Sequence, residues 1–482
     1  MKNNLLLIVS LLFIFSCQTN IIPHDEGLYF NSNKSMPRFT LSNFRSVQNR
    51  KHQDSSLALV TAISGGGTRA ANFGVGVLLG LEQLKSGNTN MLNEVDYFST
   101  VSGGGFAAGV YMNSLYSYNL YRRKIEKDTS AKVTPYSLDS FYIVQLKSIL
   151  LKDYQFSLYA AFIRGIFNAK INSDVALEHK IDDEVLGYKY RKGKDKKSIR
   201  LGNIFKWVSD TGHVIYPYFI TNATCIDNNA IVQYTPDVIA ALSISQFTHR
   251  YSTNGKSNVP LKRSEVMVMP LSLGIKTSGS FPILIKNTTL VSAADSINLY
   301  KYKYLRLIDG GVADNFGTTT AIEILDQEKL KKKGLIVIDA ANGVTPGIFA
   351  TTDKVKMEYA LSKQMTSGLD AKYFNFIEDL NQTCTAKNIK PVILSIRNLD
   401  DPALTLPGVL INKDIAIADL LKKYKTYPDI EKMNATDRKI IFLIASNVST
   451  KYNITKGEQD LLILAGKTVV WDKRNELLDL MK

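Results

Sequence analysis

The stretch Val95-Asp-Tyr-Phe-Ser-Thr-Val-Ser-Gly-Gly-Gly-Phe-Ala-Ala-Gly109 decides how the chain is read. Its first half is short, apolar, and rich in β-branched and aromatic residues, which is the composition of a buried strand. Its second half, rich in Ala and Gly, suits a helix. Ser102 stands at the change from one to the other and is followed by Gly103, Gly104 and Gly105. A serine on a strand-to-helix turn with glycines beside it is how a nucleophile elbow is built. Missing side chains let the backbone turn tightly and leave Oγ exposed. The full pattern G-x-S-x-G is not met, because Thr100 occupies the place of the first glycine. Taken alone, the stretch fits an activated serine and a Gly-rich turn equally well.

Working outward, Leu57-Ala-Leu-Val-Thr-Ala-Ile63 reads as a second strand and runs into Ser64-Gly-Gly-Gly-Thr-Arg-Ala70. Three glycines ahead of a helix leave backbone N–H groups unobstructed where an anion can bind. A phosphate cradle would need G-x-x-x-x-G-K-[ST] or a G-x-G-x-x-G fingerprint, and neither is present. An oxyanion hole from Gly65, Gly66 and Gly67 is the better account, with a helix expected from about Ala70 to Lys85.

A third apolar run, within Tyr304-Leu-Arg-Leu-Ile-Asp-Gly-Gly-Val-Ala-Asp-Asn-Phe-Gly317, delivers Asp309 to a Gly-Gly turn at a strand end. Strand ends are where open α/β sheets place their sites. The chain has five histidines: His24, His52, His179, His213 and His249. The order Ser…Asp/Glu…His of α/β-hydrolases needs a late histidine, and none follows His249. A Ser102–Asp309 dyad fits these residues better than a triad. A histidine-dependent esterase or peptidase using His213 or His249 is the alternative.

Together the three stretches resemble the patatin-like phospholipases, and Ser64-Gly-Gly-Gly-Thr-Arg-Ala70 is similar to the glycine loop of the cytosolic, group IV members. Thr221-Asn-Ala-Thr-Cys-Ile-Asp227 and Ser278-Gly-Ser-Phe-Pro282 resemble two further segments of that family. The likeness runs from about Leu57 to Asp339. It implies a lipid acyl hydrolase acting on phospholipid or a related acyl lipid, with Ser102 and Asp309 as catalytic residues and Gly65 to Gly67 as oxyanion hole. Arg69, closing the loop, either meets substrate or supports the loop.

At the N-terminus, Lys2 precedes the apolar run Leu5–Phe15, which is short for a membrane span and suits a signal peptide over residues 1–16. It ends at Ile14-Phe-Ser-Cys17, similar to a bacterial lipobox, so lipidation at Cys17 and an outer-membrane address in a bacterial envelope are expected. A non-catalytic lipid-binding or partner-binding lipoprotein, its elbow spoiled at Thr100, is a further alternative. Residues 17–54 are polar and read as a tether.

The formal charge of +15 and the 21% charged residues suit attraction to anionic headgroups and a membrane surface. No nucleic-acid-binding pattern accompanies the charge. Three cysteines make no disulfide scaffold, no His/Cys spacing suits a metal, and no cofactor motif occurs, so neither metal nor cofactor is expected.

Alternating strands and helices predict an α/β fold: a mostly parallel central sheet with helices on both faces. The patatin-like catalytic domain is expected over residues 55–400, with a helical insert at about 113–214. A mixed, mostly helical region fills 401–482. Within the insert, Phe156–Phe167 is either a lid-like interfacial segment or a packed helix. The basic run from Lys189 to Arg200 is either a solvated loop or a headgroup contact.

Overall fold

The computed structural model describes residues 38, 56–87, 89–127, 137–138, 173–204, 216–242, 244–248, 258–260, 269–281, 285, 287–292, 304–340, 373–404, 412–448 and 454–482. In chain order the elements used below begin with β1 (Leu57–Ile63), α1 (Gly67–Gln83), β2 (Tyr97–Val101) and α2 (Gly103–Ile125). Next come α3 (Ser173–Lys180), β3 (Tyr218–Cys225), β4 (Ile231–Tyr234), β5 (Ile244–Thr248) and β6 (Asn258–Pro260). They are followed by α4 (Leu271–Ser278), β7 (Thr288–Ser292), β8 (Tyr304–Asp309), α5 (Thr318–Gln327) and β9 (Lys332–Asp339). The last are α6 (Tyr373–Ala386), β10 (Lys390–Ser395), α7 (Lys413–Lys423), α8 (Ala435–Asn447) and α9 (Lys456–Asp472).

Described residues fall into two compact units. One draws on Thr40–Lys152, Trp207–Ile220 and Asn315–Lys482, the other on Met1–Phe39, Asp153–Lys206 and Thr221–Asp314. In the first, β10, β9, β1 and β2 lie side by side and parallel. All seven residues of β1 and all five of β2 are buried, which requires cover on both faces and explains why neither strand carries a charged residue. Helix α5 packs on β1, β2 and β9, while α1 packs on α2 and α9.

Register carries the functional consequence. Ile63 pairs with Thr100 on one side and with Ile338 on the other. The loops that follow β1, β2 and β9 therefore leave the sheet at one carboxyl edge, where Gly65, Ser102 and Ala340 emerge. That edge is where ligands bind in open parallel sheets.

The second unit is antiparallel. β3 pairs with β4 and β8, β8 with β7, β7 with β5, and β5 with β6. The expected α/β class holds, with parallel, helix-covered strands carrying the glycine loops. The antiparallel strands are an addition that the alternating pattern does not announce.

Two boundaries move. α1 begins at Gly67, one turn before the expected Ala70, and α2 continues to Ile125, taking the first residues assigned to the insert. Described residues beyond 412 are mostly helical. Cys17, the tether apart from Arg38, Phe156–Phe167, His213 and His249 lie outside the described residues.

Candidate active site

Ser102 forms the joint between β2 and α2, at φ 48° and ψ −118°. A non-glycine residue with positive φ outside the left-handed helical well stores about 1–3 kcal/mol, and persists where its surroundings over-determine it. Here they do. A Cβ on Gly103 would lie 2.1 Å from the Gly67 carbonyl oxygen, and one on Gly104 would lie 2.4 Å from that of Ile63. The elbow and the glycine loop are thus in backbone contact. Ser102 itself is half-buried.

Thr100, the departure from the elbow pattern, is fully buried and donates its Oγ1–H to the Ile220 carbonyl at 3.0 Å. Its side chain satisfies a neighbouring strand's acceptor, and the turn forms with threonine in place.

The loop before α1 divides its donors. Gly65 is buried and gives its N–H to the Asn315 carbonyl at 2.8 Å. Gly66 and Gly67 are half-exposed, at φ 137° and 59°, and their N–H groups have no partner among the described residues. Positive φ at both positions demands glycine. Two open N–H groups at the positive end of a seventeen-residue helix suit a developing oxyanion. Of the three expected donors, Gly66 and Gly67 remain available, and Gly65 serves to hold the loop.

Arg69 supports the loop. It is buried, and its Nε and Nη1 donate to the carbonyls of Ala340 (2.7 Å) and Val448 (2.9 Å). Ser64 Oγ accepts from the Ala340 N–H at 3.0 Å. Asn315, to which sequence reasoning gives no role, locks Gly65. The signal for it was present in the quoted Asp-Asn-Phe-Gly317 segment, but nothing local assigns it a partner.

Asp309 is built into the antiparallel unit by the two segments singled out beside it. Its N–H donates to the Ser280 carbonyl at 3.1 Å, and its carbonyl accepts from Thr224 Oγ1 at 2.8 Å. Its carboxylate Oδ1 accepts from the Gly311 N–H at 2.8 Å, capping the Gly310–Val312 turn. The side chain is buried, with 6% of the residue exposed.

Other candidates are quiet. Cys225 and Cys384 are buried free thiols, and burial pushes Cys384 up to about 11 and Cys225 upward. Neither is a thiolate nucleophile. Among the described residues no three His, Cys, Asp or Glu side chains gather as a metal site, and no helix is long and apolar enough to cross a membrane. In the basic run, Lys192, Lys194, Lys196 and Lys197 are exposed, Lys189 pairs with Glu184, and Arg191 is buried.

The contact between elbow and loop gives a stability test. Gly103→Ala drives a methyl into the Gly67 backbone, whereas in Gly65→Ala the new methyl first meets Asn315 Oδ1, at 2.5 Å, the end of a side chain that can swing. Gly103→Ala is expected to cost about 1–3 kcal/mol and Gly65→Ala less, read as shifts in urea midpoint at unchanged slope.

The fold and site define a parallel α/β unit with a strained serine turn and open helix N–H groups at its carboxyl edge. The chain belongs to the patatin-like phospholipase family, whose match covers residues 61–322. No curated protein matches the sequence. Among solved structures, human GIVD cytosolic phospholipase A2 aligns with 88% of this chain and 62% of its own, at 10% identity and TM-score 0.45. Its complex with methyl gamma-linolenyl fluorophosphonate and terbium chloride aligns at 11% identity and TM-score 0.42, over 88% and 59%. VipD from Legionella pneumophila aligns at 12% identity and TM-score 0.26, over 86% and 91%. The chain thus spans 62% of the human enzyme's length.

Proposed function

We propose that the protein is a serine lipid acyl hydrolase, cleaving carboxylic ester bonds of phospholipids or related acyl lipids through a Ser102–Asp309 dyad. The observation that carries this reading is the strained Ser102 in contact with a loop whose Gly66 and Gly67 N–H groups stand open. Family membership makes an acyl lipid the substrate class.

In the mechanism, Asp309 accepts the Ser102 hydroxyl proton as Oγ attacks the ester carbonyl carbon. The carbonyl oxygen becomes an oxyanion held by the Gly66 and Gly67 N–H groups. As the carbonyl re-forms, the C–O bond to the alcohol breaks, and the proton passes from Asp309 to that alcohol. Water, deprotonated by Asp309, then attacks the acyl-enzyme, and Ser102 regains its proton. An ordinary carboxylate is a weak base for an alcohol, so exclusion of water from the site when substrate binds matters to the role. The spoiled-elbow alternative loses its motive, because Thr100 is bonded to Ile220 and leaves the elbow formed. The test is fluorophosphonate labelling of the whole protein with peptide mapping: label on Ser102 supports the reading, and label on no residue removes it.

The same proposal places the enzyme at a membrane through lipid on Cys17, in a bacterial envelope and at the outer membrane. Several acyl chains on one cysteine hold firmly, whereas one gives marginal attachment. Cys17→Ser is expected to move the protein from the membrane fraction to the soluble one, or to leave an unprocessed precursor. Fractionation in high salt removes the weaker attraction of the basic surface. Equal wash-off of wild type and Cys17→Ser would leave charge as the sole attachment.

A further inference from the structure

We infer that the C-terminal helices hold the oxyanion loop in register with Ser102, and that Gln459 is a positioning residue for the Gly66 and Gly67 N–H groups. The inference rests on the function proposed above and concerns only the parallel unit. Those N–H groups belong to the start of α1, so sliding α1 along its axis would carry them past the reacting carbonyl. A displacement near 1 Å at a reacting centre can cost about 100-fold in rate. Something must therefore fix the axial position of α1.

The fixing contacts come from α8 and α9. Gln459, in the first turn of α9, donates Nε2–H to Asn72 Oδ1 at 2.9 Å. Asn72 in turn donates Nδ2–H to the Thr68 carbonyl at 2.8 Å, one residue into α1. Both amide side chains are fully buried. The Val448 carbonyl, capping α8, accepts from Arg69 on the same turn of α1. The start of α9 is itself fixed by a capping box between Thr455 and Glu458.

Beyond these bonds, the two helix backbones touch. A Cβ on Gly76 would lie 2.3 Å from the Ile463 carbonyl oxygen, and one on Gly466 would lie 2.5 Å from that of Phe73. The glycine crossing sets α9 against α1 coarsely, since a slide of a whole residue would drive a Cβ into the facing backbone, but it leaves smaller axial shifts open. The buried Gln459–Asn72 bond narrows it further, because that bond forms in one register and any other strands its donor and acceptor away from water. Two buried amides at a glycine crossing thus act as a register pin, set one turn from the loop.

The test uses the full-length protein. Gln459→Met keeps the volume and removes the donor. Activity is expressed as kcat per fluorophosphonate-titrated site, which discounts unfolded protein. The expected result is kcat about tenfold lower with KM within about twofold. The rate of Ser102 phosphonylation should fall in step. In a double-mutant cycle, Asn72→Leu with Gln459→Met should lower kcat no further than either alone.

Ile463→Val, which trims a buried side chain one turn along α9 from Gln459 and leaves the amide chain intact, should lower Tm and leave kcat per site unchanged. If Gln459→Met shifts Tm alone, the residue only packs and the inference falls. It falls equally if Ile463→Val slows turnover as much. Should Gln459→Met not fold, Gln459→Leu carries the same test, since it too buries an apolar side chain and has no donor for Asn72 Oδ1. A wild type that neither hydrolyses acyl esters nor takes label at Ser102 removes the functional reading itself. A wild type that does both, with Gln459 variants matching it per site, removes this inference alone.

Discussion

Replacing Ser102 by alanine is expected to abolish acyl-ester hydrolysis and fluorophosphonate labelling together, with kcat lower by on the order of 10⁴-fold or more. The loss follows from chemistry and not from unfolding. Alanine occupies the same φ 48° backbone at the same strain, and Gly103 and Gly104 still meet the carbonyls of Gly67 and Ile63. What remains is binding and the oxyanion loop, which together leave a trace of catalysis over water. Ser102→Gly sharpens the comparison. Glycine adopts positive φ without strain, so this variant should be more stable than wild type by about 1 kcal/mol and equally inactive. A folded Ser102→Ala protein that keeps most of its activity would remove Ser102 from the mechanism.

The parts of the site that the sequence announces share one property: their evidence is local. Leu57–Ile63 is legible to the residue because a run that is apolar but for Thr61 ends at Ser64 and three glycines. Ser102 is legible because strand composition gives way to Ala and Gly at that point. The start of α1 is misread by one turn, since Gly67 reads as loop by propensity, yet the helix begins there at φ 59°. The antiparallel strands β4 and β7 escape because short runs such as Ile231–Tyr234 carry no period of their own.

Long-range partners are the other blind spot. Nothing near Arg69 points to Val448, and nothing near Asn72 points to Gln459, although those contacts decide where the loop sits. Thr100 shows the converse. Pattern matching marks it as a defect, while its hydroxyl in fact answers the Ile220 carbonyl.

Asp309→Asn is the second large effect expected, and the structure makes it a clean substitution. The amide matches the carboxylate in size, and its Oδ1 can keep accepting the Gly311 N–H now received at 2.8 Å. Bonds from the Asp309 N–H to Ser280 and from Thr224 to the Asp309 carbonyl use backbone atoms, which the substitution leaves alone. The turn should therefore survive while the proton acceptor is lost. Under the proposed dyad the rate falls roughly 10²–10⁴-fold, the range for a missing general base, with Tm close to wild type. Asp309→Ala should lose as much activity and, with the cap gone, about 1 kcal/mol of stability as well. His213→Ala and His249→Ala should retain catalysis when folded, because a dyad gives histidine no proton to carry. An active Asp309→Asn beside an inactive His213→Ala or His249→Ala would transfer the base to that histidine and replace the dyad with a triad.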